Sequence, residues 1–270
     1  MNICRRNGSA AGDPSSAILS RNSLPYTRTV YCPCPIMPFP DDARFRPASD
    51  QSLLVYLGEE VSVETHRRVL RLLRLLESQP IPGVRNLHPA YASLLIVFDA
   101  LQLRHETLEP ILRGYLARSQ EVSLPEPCMV EIPVCYGGEF GPDLDDVAHM
   151  HEMTPAQIID MHASATYLVY FLGFAPGFAY LGGLPEPLVT PRLATPRRKV
   201  PAGSVGIAGS QTGVYPFATP GGWRLIGRTP FAMFRPGRRQ MSLLSIGDQV
   251  RFAPISSRQF AQRVAQRVEE

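Results

Sequence analysis

An α+β domain of order β-β-α-β-β-α, followed by a mostly-β domain, is the fold class this sequence predicts. Two stretches with helical periodicity, each preceded by a pair of short apolar runs, fill residues 41–122. From residue 127 to 256 short apolar runs come to alternate with Gly/Pro turns, and ten of the 21 glycines fall between 173 and 222. That pattern argues a barrel or a sandwich. With 270 residues, 44% of them hydrophobic and 19% charged, the chain is long enough to bury one large or two modest cores.

The elements follow in order. Residues 1–40 are rich in Ser, Asn, Pro and Arg without periodicity and read as a disordered extension. Met37 stands just before the ordered sequence, so it competes with Met1 as the true start. "SLLVYLG" (52–58) reads as a strand paired with "ARFRP" before it. In "VETHRRVLRLLRLLESQ", Val69, Leu72, Leu73 and Leu76 mark one helical face, and Pro80, Pro82 and Gly83 end it. "VRNLHP" and "ASLLIVFDA" are two more strands. A second helix carries Leu108, Ile111, Leu112, Tyr115 and Leu116 on one stripe. Both helices then cover one face of a single sheet. "SLPEPC" (123–128) is the linker. The next domain opens with the strand "MVEIPVCYGG" and two short helices. The second has Thr154 as N-cap, Pro155 at the first position and Gln157 closing a capping box. "TYLVYFLGF", "SVGIAG", "WRLIGRT", "FAMF" and "DQVRFAPI" are the strand candidates after it. Residues 257–270 form a terminal helix or a tail.

Composition excludes several classes of function. A net charge of +3 does not argue for nucleic acid. No apolar stretch is long enough to span a bilayer, and the N-terminal arginines lack the apolar run of a secretory signal. Five cysteines at irregular spacing argue against a disulfide framework. The cytoplasm is the expected location. There is no P-loop and no H-E-x-x-H, and no metal site is expected.

The segment that asks for a function is "FLGFAPGFAYLGGLP" (171–185), uncharged and dense in turns and aromatic rings. It either plugs a barrel end or walls a pocket. Arg192, Arg197, Arg198 and Lys199 follow it, with Glu186 the one acid between Ala163 and Trp223. Backbone N–H groups at glycine turns beside arginines suit a carboxylate or a phosphate. Arg192, Arg197, Ser204, Gln211, Thr212, Tyr215 and Arg228 are therefore the candidate substrate- or phosphate-binding residues. His162, at the end of the helix feeding this region, is the candidate catalytic acid or base. Its alternative role is a helix C-terminal histidine favoured by the dipole.

The run "HASATYLVYFLGFAPGFAYLGGLPEPLVTPRLATPRRKVPAGSVGIAGSQTGVYPFATPGGWRLIGRTPFAMF" (162–234), with "IPVCYGGEFGPDLDDVA" before it, resembles the family of 5-oxoprolinase B subunits. That family is also described as allophanate hydrolase subunit 1 or as KipI-type histidine-kinase inhibitors. The resemblance spans about residues 43 to 256. It departs at the first 40 residues and at Ser49, where the family usually has Gly. It implies that the second domain is a cyclophilin-like, carboxyltransferase-type β-barrel. It also implies two partners, a C-type barrel subunit and an A-type subunit, that work with this chain. The activity it implies is ATP-dependent hydrolysis of a small cyclic amide, 5-oxoproline, to glutamate, with ATP and Mg²⁺ at a shared site. Two alternatives come with the resemblance: a urea carboxylase-type carboxyltransferase component, needing biotin on a partner, and an inhibitor of a sensor kinase.

Overall fold

A computed structural model of the chain describes residues 43–268, so the extension expected over residues 1–40 lies outside the described residues. The first unit comprises β1 (Arg44–Ser49), β2 (Ser52–Tyr56), α1 (Val63–Ser78), β3 (Val84–Pro89), β4 (Ser93–Phe98) and α2 (His105–Ser119). This is the expected order. The four strands form one antiparallel sheet in the order β1-β2-β4-β3. Alternating residues Leu53, Val55, Leu94, Ile96 and Phe98 turn one sheet face to the helices, as the period of two requires. Helix α1 begins where the Ser62 side chain accepts the Thr65 N–H at 3.1 Å, and Val69, Leu72, Leu73 and Leu76 are all buried. In α2 the buried stripe is narrower than expected. Leu108 and Leu112 take the positions facing the sheet, and Ile111, on the stripe's margin, stays 40% exposed.

A stretch without regular structure then leads to β5 (Met129–Tyr136), α3 (Leu144–Met150), α4 (Pro155–Ser164), β6 (Tyr167–Leu172) and β7 (Ala179–Gly182). After these come β8 (Arg197–Val200), β9 (Ser204–Ala208), β10 (Gln211–Val214), β11 (Thr219–Gly221), β12 (Arg224–Arg228), β13 (Gln249–Pro254) and α5 (Ser257–Val268). Seven strands close a barrel in the order β10-β7-β6-β13-β5-β12-β9, with β9 pairing back onto β10. One pairing is parallel: β13 runs alongside β5, with Gln249 opposite Met129. The Thr154 capping box is present as expected. Gln157 N–H reaches Thr154 Oγ1 at 3.3 Å, and Thr154 N–H reaches Gln157 Oε1 at 2.8 Å. "FAMF" is not a strand; it is tied down by a single bridge from Phe234 to Ser242.

The barrel has two apolar layers. Ile132, Val134, Val169, Val205, Ile207, Val214 and Phe252 fill its interior. On its outer wall Phe178, Tyr215 and Trp223 pack with Val200, where the two-stranded β8–β11 ribbon covers them. The uncharged stretch 171–185 does not plug a barrel end. It makes the β6–β7 hairpin of the barrel wall, with its turn seated against Met233 and Phe234. Gly177, at φ +81°, makes that seat: a Cβ there would lie 2.9 Å from the Met233 carbonyl oxygen. Among the described residues no helix is long and apolar enough to cross a membrane.

Candidate functional site

Strand alternation sorts the expected site residues onto opposite sides of the barrel wall. Thr212 lies opposite Ile207 in the β9–β10 pair and so faces the interior. Gln211 and Tyr215, an odd number of residues away, face outward.

Inside, His162 is fully buried at the end of α4. Thr212 Oγ1 donates to the Gly206 carbonyl at 3.0 Å, so it accepts from His162 Nε2–H at 2.9 Å. Nδ1 then carries the lone pair and accepts the Tyr136 hydroxyl at 2.8 Å. The ring stacks on Phe252 at 4.6 Å. Burial holds the imidazole neutral, lowering its pKa to about 3, and pushes the Tyr136 phenol well up. This corrects the expectation that His162 opens onto a substrate. Its two ring nitrogens are both engaged, by Tyr136 and Thr212, and these bonds tie α4 to β5 and β10. His162→Gln should therefore cost about 2 kcal/mol of stability while leaving kcat and KM unchanged in an enzyme reconstituted with partner chains. A fall in kcat without loss of melting temperature would restore a proton-transfer role.

Outside, three of the expected residues converge. The Gln211 amide Nε2 donates to the hydroxyl of Tyr91, which sits in the β3–β4 turn of the first unit. The Tyr91 ring meets Phe171 edge-on at 4.8 Å and lies 6.2 Å from Tyr180, and Phe171 stacks on Tyr180 at 4.4 Å. Burial raises the pKa of the Tyr91 phenol, and Tyr180 adds to the rise; the Gln211 bond and the Arg192 charge oppose it. Arg192 acts in the same direction on Tyr180 and Tyr215, both raised first by burial. The charge of the exposed Arg192 thus acts on three phenols, one of which, Tyr91, also takes the Gln211 amide. Such an arrangement can hold a carboxylate over an aromatic floor.

The other expected residues are used differently. Arg197 Nη2 donates to Asp143 Oδ1 at 2.5 Å, and Asp143 Oδ2 takes the Leu225 N–H at 2.6 Å. Arg197 therefore joins the β8 ribbon to the start of α3. Ser204 is fully buried, and its hydroxyl has no partner among the described residues, so it offers nothing to a ligand in this conformation. Arg228 stands between Cys135 and Ser204 on neighbouring strands, and its guanidinium lies 5.9 Å from the Phe140 ring centre. It does not join the Arg192 group.

Residues 43–244 match the family model of the carboxyltransferase domain, subdomain C and D. The chain belongs to this family. Among its curated relatives, the 5-oxoprolinase B subunit of Bacillus subtilis (strain 168) is 43% identical over 221 residues, 78% of this chain and 92% of that protein. The 5-oxoprolinase B subunit of Escherichia coli O157:H7 is 44% identical over 210 residues, 76% and 93% of the two chains. Of the solved structures, TTHA0988 superposes with a TM-score of 0.67 at 37% identity, covering 77% of this chain and 40% of that one. This chain thus spans two fifths of that protein's length. The Kluyveromyces lactis urea amidolyase superposes with a TM-score of 0.69 at 22% identity, over 85% of this chain and 16% of that one, a likeness of fold.

In this member of the carboxyltransferase-domain family the acids do not suit a Mg²⁺ ion. Asp143 is committed to Arg197 and Leu225, Glu139 is exposed on the turn after β5, and Asp145 and Asp146 are exposed in the first turn of α3. No group of three or more His, Cys, Asp or Glu among the described residues is arranged to hold a metal. Sequence reasoning misses Tyr91. It lies in "HPAYAS", an uncharged turn far from the signature, and only its aromatic character in a tight turn hints at a role.

Proposed function

We propose that this chain is the B subunit of a cytoplasmic ATP-dependent 5-oxoprolinase, and that the outer face around Arg192 and Gln211 binds 5-oxoproline. The observation that carries the activity is the 43% identity over 92% of the Bacillus subtilis protein. The outer-face geometry supports the placement. Arg192 pairs with the substrate carboxylate, the Tyr91 and Tyr180 rings lie beneath the five-membered ring, and Gln211 orients its amide. A lactam is a poor electrophile. ATP, as co-substrate, supplies the phosphoryl group that makes the lactam oxygen a leaving group. Water then adds at that carbon and the C–N bond breaks, freeing the amine and leaving γ-glutamyl phosphate; a second water displaces the phosphate, so that glutamate, ADP and phosphate result. This chain's own part is to bind and orient. The carboxylates for the Mg²⁺ of ATP come from a C-type or A-type partner.

Two results are expected. The purified chain alone should release no ADP with 5-oxoproline, and release should begin once both partner chains are added. In that reconstituted enzyme Arg192→Ala should raise KM for 5-oxoproline about ten- to a hundredfold at an unchanged melting temperature, since a shielded Arg–carboxylate contact contributes about 1.5–3 kcal/mol. An unaltered KM would remove the substrate from this face. ADP release with urea and a biotin-bearing partner, and none with 5-oxoproline, would move the activity to carboxyl transfer.

A further inference from the structure

We infer that the cleft between α1 and the barrel is a second binding site, for a small carboxylic acid that also carries an N–H group. The cleft measures about 640 Å³ and is bounded by α1, the linker before β5 and the barrel around β6, β7 and the turn into β13. That volume, at a junction of two units, suits a small organic molecule. His66 is the feature that asks for a ligand. It sits in the first half of α1, 1% exposed, and both its ring nitrogens are buried with no hydrogen-bond partner among the described residues. Its neighbours Val69 and Leu70 are plain apolar core residues. A neutral imidazole carries one N–H and one lone pair, and leaving both unmet in the interior is unfavourable. The ring meets the edge of Tyr170, 4.8 Å away between ring centres, and that contact satisfies neither nitrogen. A bound molecule with an acceptor and a donor would satisfy both.

The rest of the lining sets the chemistry. Arg67 and Arg74 line the α1 wall. Arg67 meets Glu64 at 3.9 Å, and Arg74 meets Glu77 at 2.8 Å. These exposed pairs can be exchanged for a ligand carboxylate at little cost. Glu126, on the linker rim, is an acceptor for the ligand's N–H and disfavours a dianion without one. Leu70 and Tyr170 provide an apolar floor. A free amino acid and a lactam acid share this chemistry. The site is distinct from the Arg192 face, although Tyr170 touches both: its ring lies 5.4 Å from Tyr91. The inference stands on the cleft alone and does not depend on the activity proposed above.

The test titrates the full chain with 5-oxoproline in one arm and L-glutamate in the other, by calorimetry and by the ring resonances of His66, assigned with His66→Phe. The measurements are repeated in Arg192→Ala, which disables the outer face. Saturable binding of either compound that persists in Arg192→Ala and shifts the His66 ring resonances is the expected result. Binding should weaken at least about tenfold in His66→Phe. It should weaken similarly in Arg67→Ala/Arg74→Ala, whose exposed positions leave the core untouched. The inference is overturned if neither compound binds, if the His66 resonances do not move, or if binding is lost in Arg192→Ala yet kept in the double arginine variant.

Discussion

Lowering the pH from about 6.5 to about 4.5 should remove about 4–5 kcal/mol of folding free energy from this protein. The cause is two histidines held neutral by burial, His66 with its pKa lowered to about 4 and His162 to about 3. In the unfolded chain both return to an ordinary value of about 6.5. Below that pH the unfolded state takes up two protons that the folded state refuses, so acidification draws the equilibrium toward unfolding. Each ring contributes about 1.4 kcal/mol per pH unit until its folded pKa is reached. Well above about pH 6.5 both contributions are complete and flat. Urea midpoints at about pH 6.5 and about pH 4.5 measure the loss, and His66→Leu should roughly halve its slope. Equal stability at the two pH values would mean that the rings titrate in the folded state as they do in water.

Asp143→Ala should lower stability by about 3 kcal/mol, equivalent to a fall of about 6–12 °C in melting temperature for a domain of this size. Three bonds converge on that residue. Its carboxylate takes Arg197 and the Leu225 N–H, and its own N–H reaches the Leu225 carbonyl at 2.9 Å. The substitution strands a strand N–H and a guanidinium that is only 30% exposed. Loss from a fully buried pair would be larger; water reaching Arg197 places this one at the low end. Arg197→Leu in the same chain should recover part of the loss, because the unpaired charge is gone. A melting temperature within about 2 °C of the parent would mean that the pair is screened like a surface contact.

The elements legible in the sequence are those whose signals are local. The stripe Val69–Leu72–Leu73–Leu76 and the Thr154–Gln157 capping box each lie within a few residues, and both are present in the fold. The barrel's short strands are half legible. β9 and β12 carry runs of apolar residues, while β8, β10 and β11 consist largely of cations, glycine, proline and hydroxyls and form because neighbouring strands pair with them. The candidate site is legible in residue type and not in side. Gln211 and Thr212 are adjacent in sequence yet lie on opposite sides of the wall, a distinction that depends on pairing register. Asp143 and Arg197 illustrate the same gap. An acid and a cation 54 residues apart resemble separate ligand groups in the sequence, and only the fold makes them a pair. His162 has the sequence position of an acid–base residue, and its closed hydrogen bonds deny it that chemistry.

The parallel pairing of β5 with β13 has a consequence for synthesis on the ribosome. The first unit, β1 to α2, is complete in residues 44–119 and can fold as soon as it leaves the exit tunnel. The second unit cannot. Its first strand lies between β12 and β13, so β5 waits with an open edge until Gln249–Pro254 have been translated. Throughout that interval a nascent chain exposes an unpaired strand, Met129–Tyr136, that is available to any neighbouring chain. A stalled or truncated product ending before β13 should therefore aggregate through β5 while its first unit is already native.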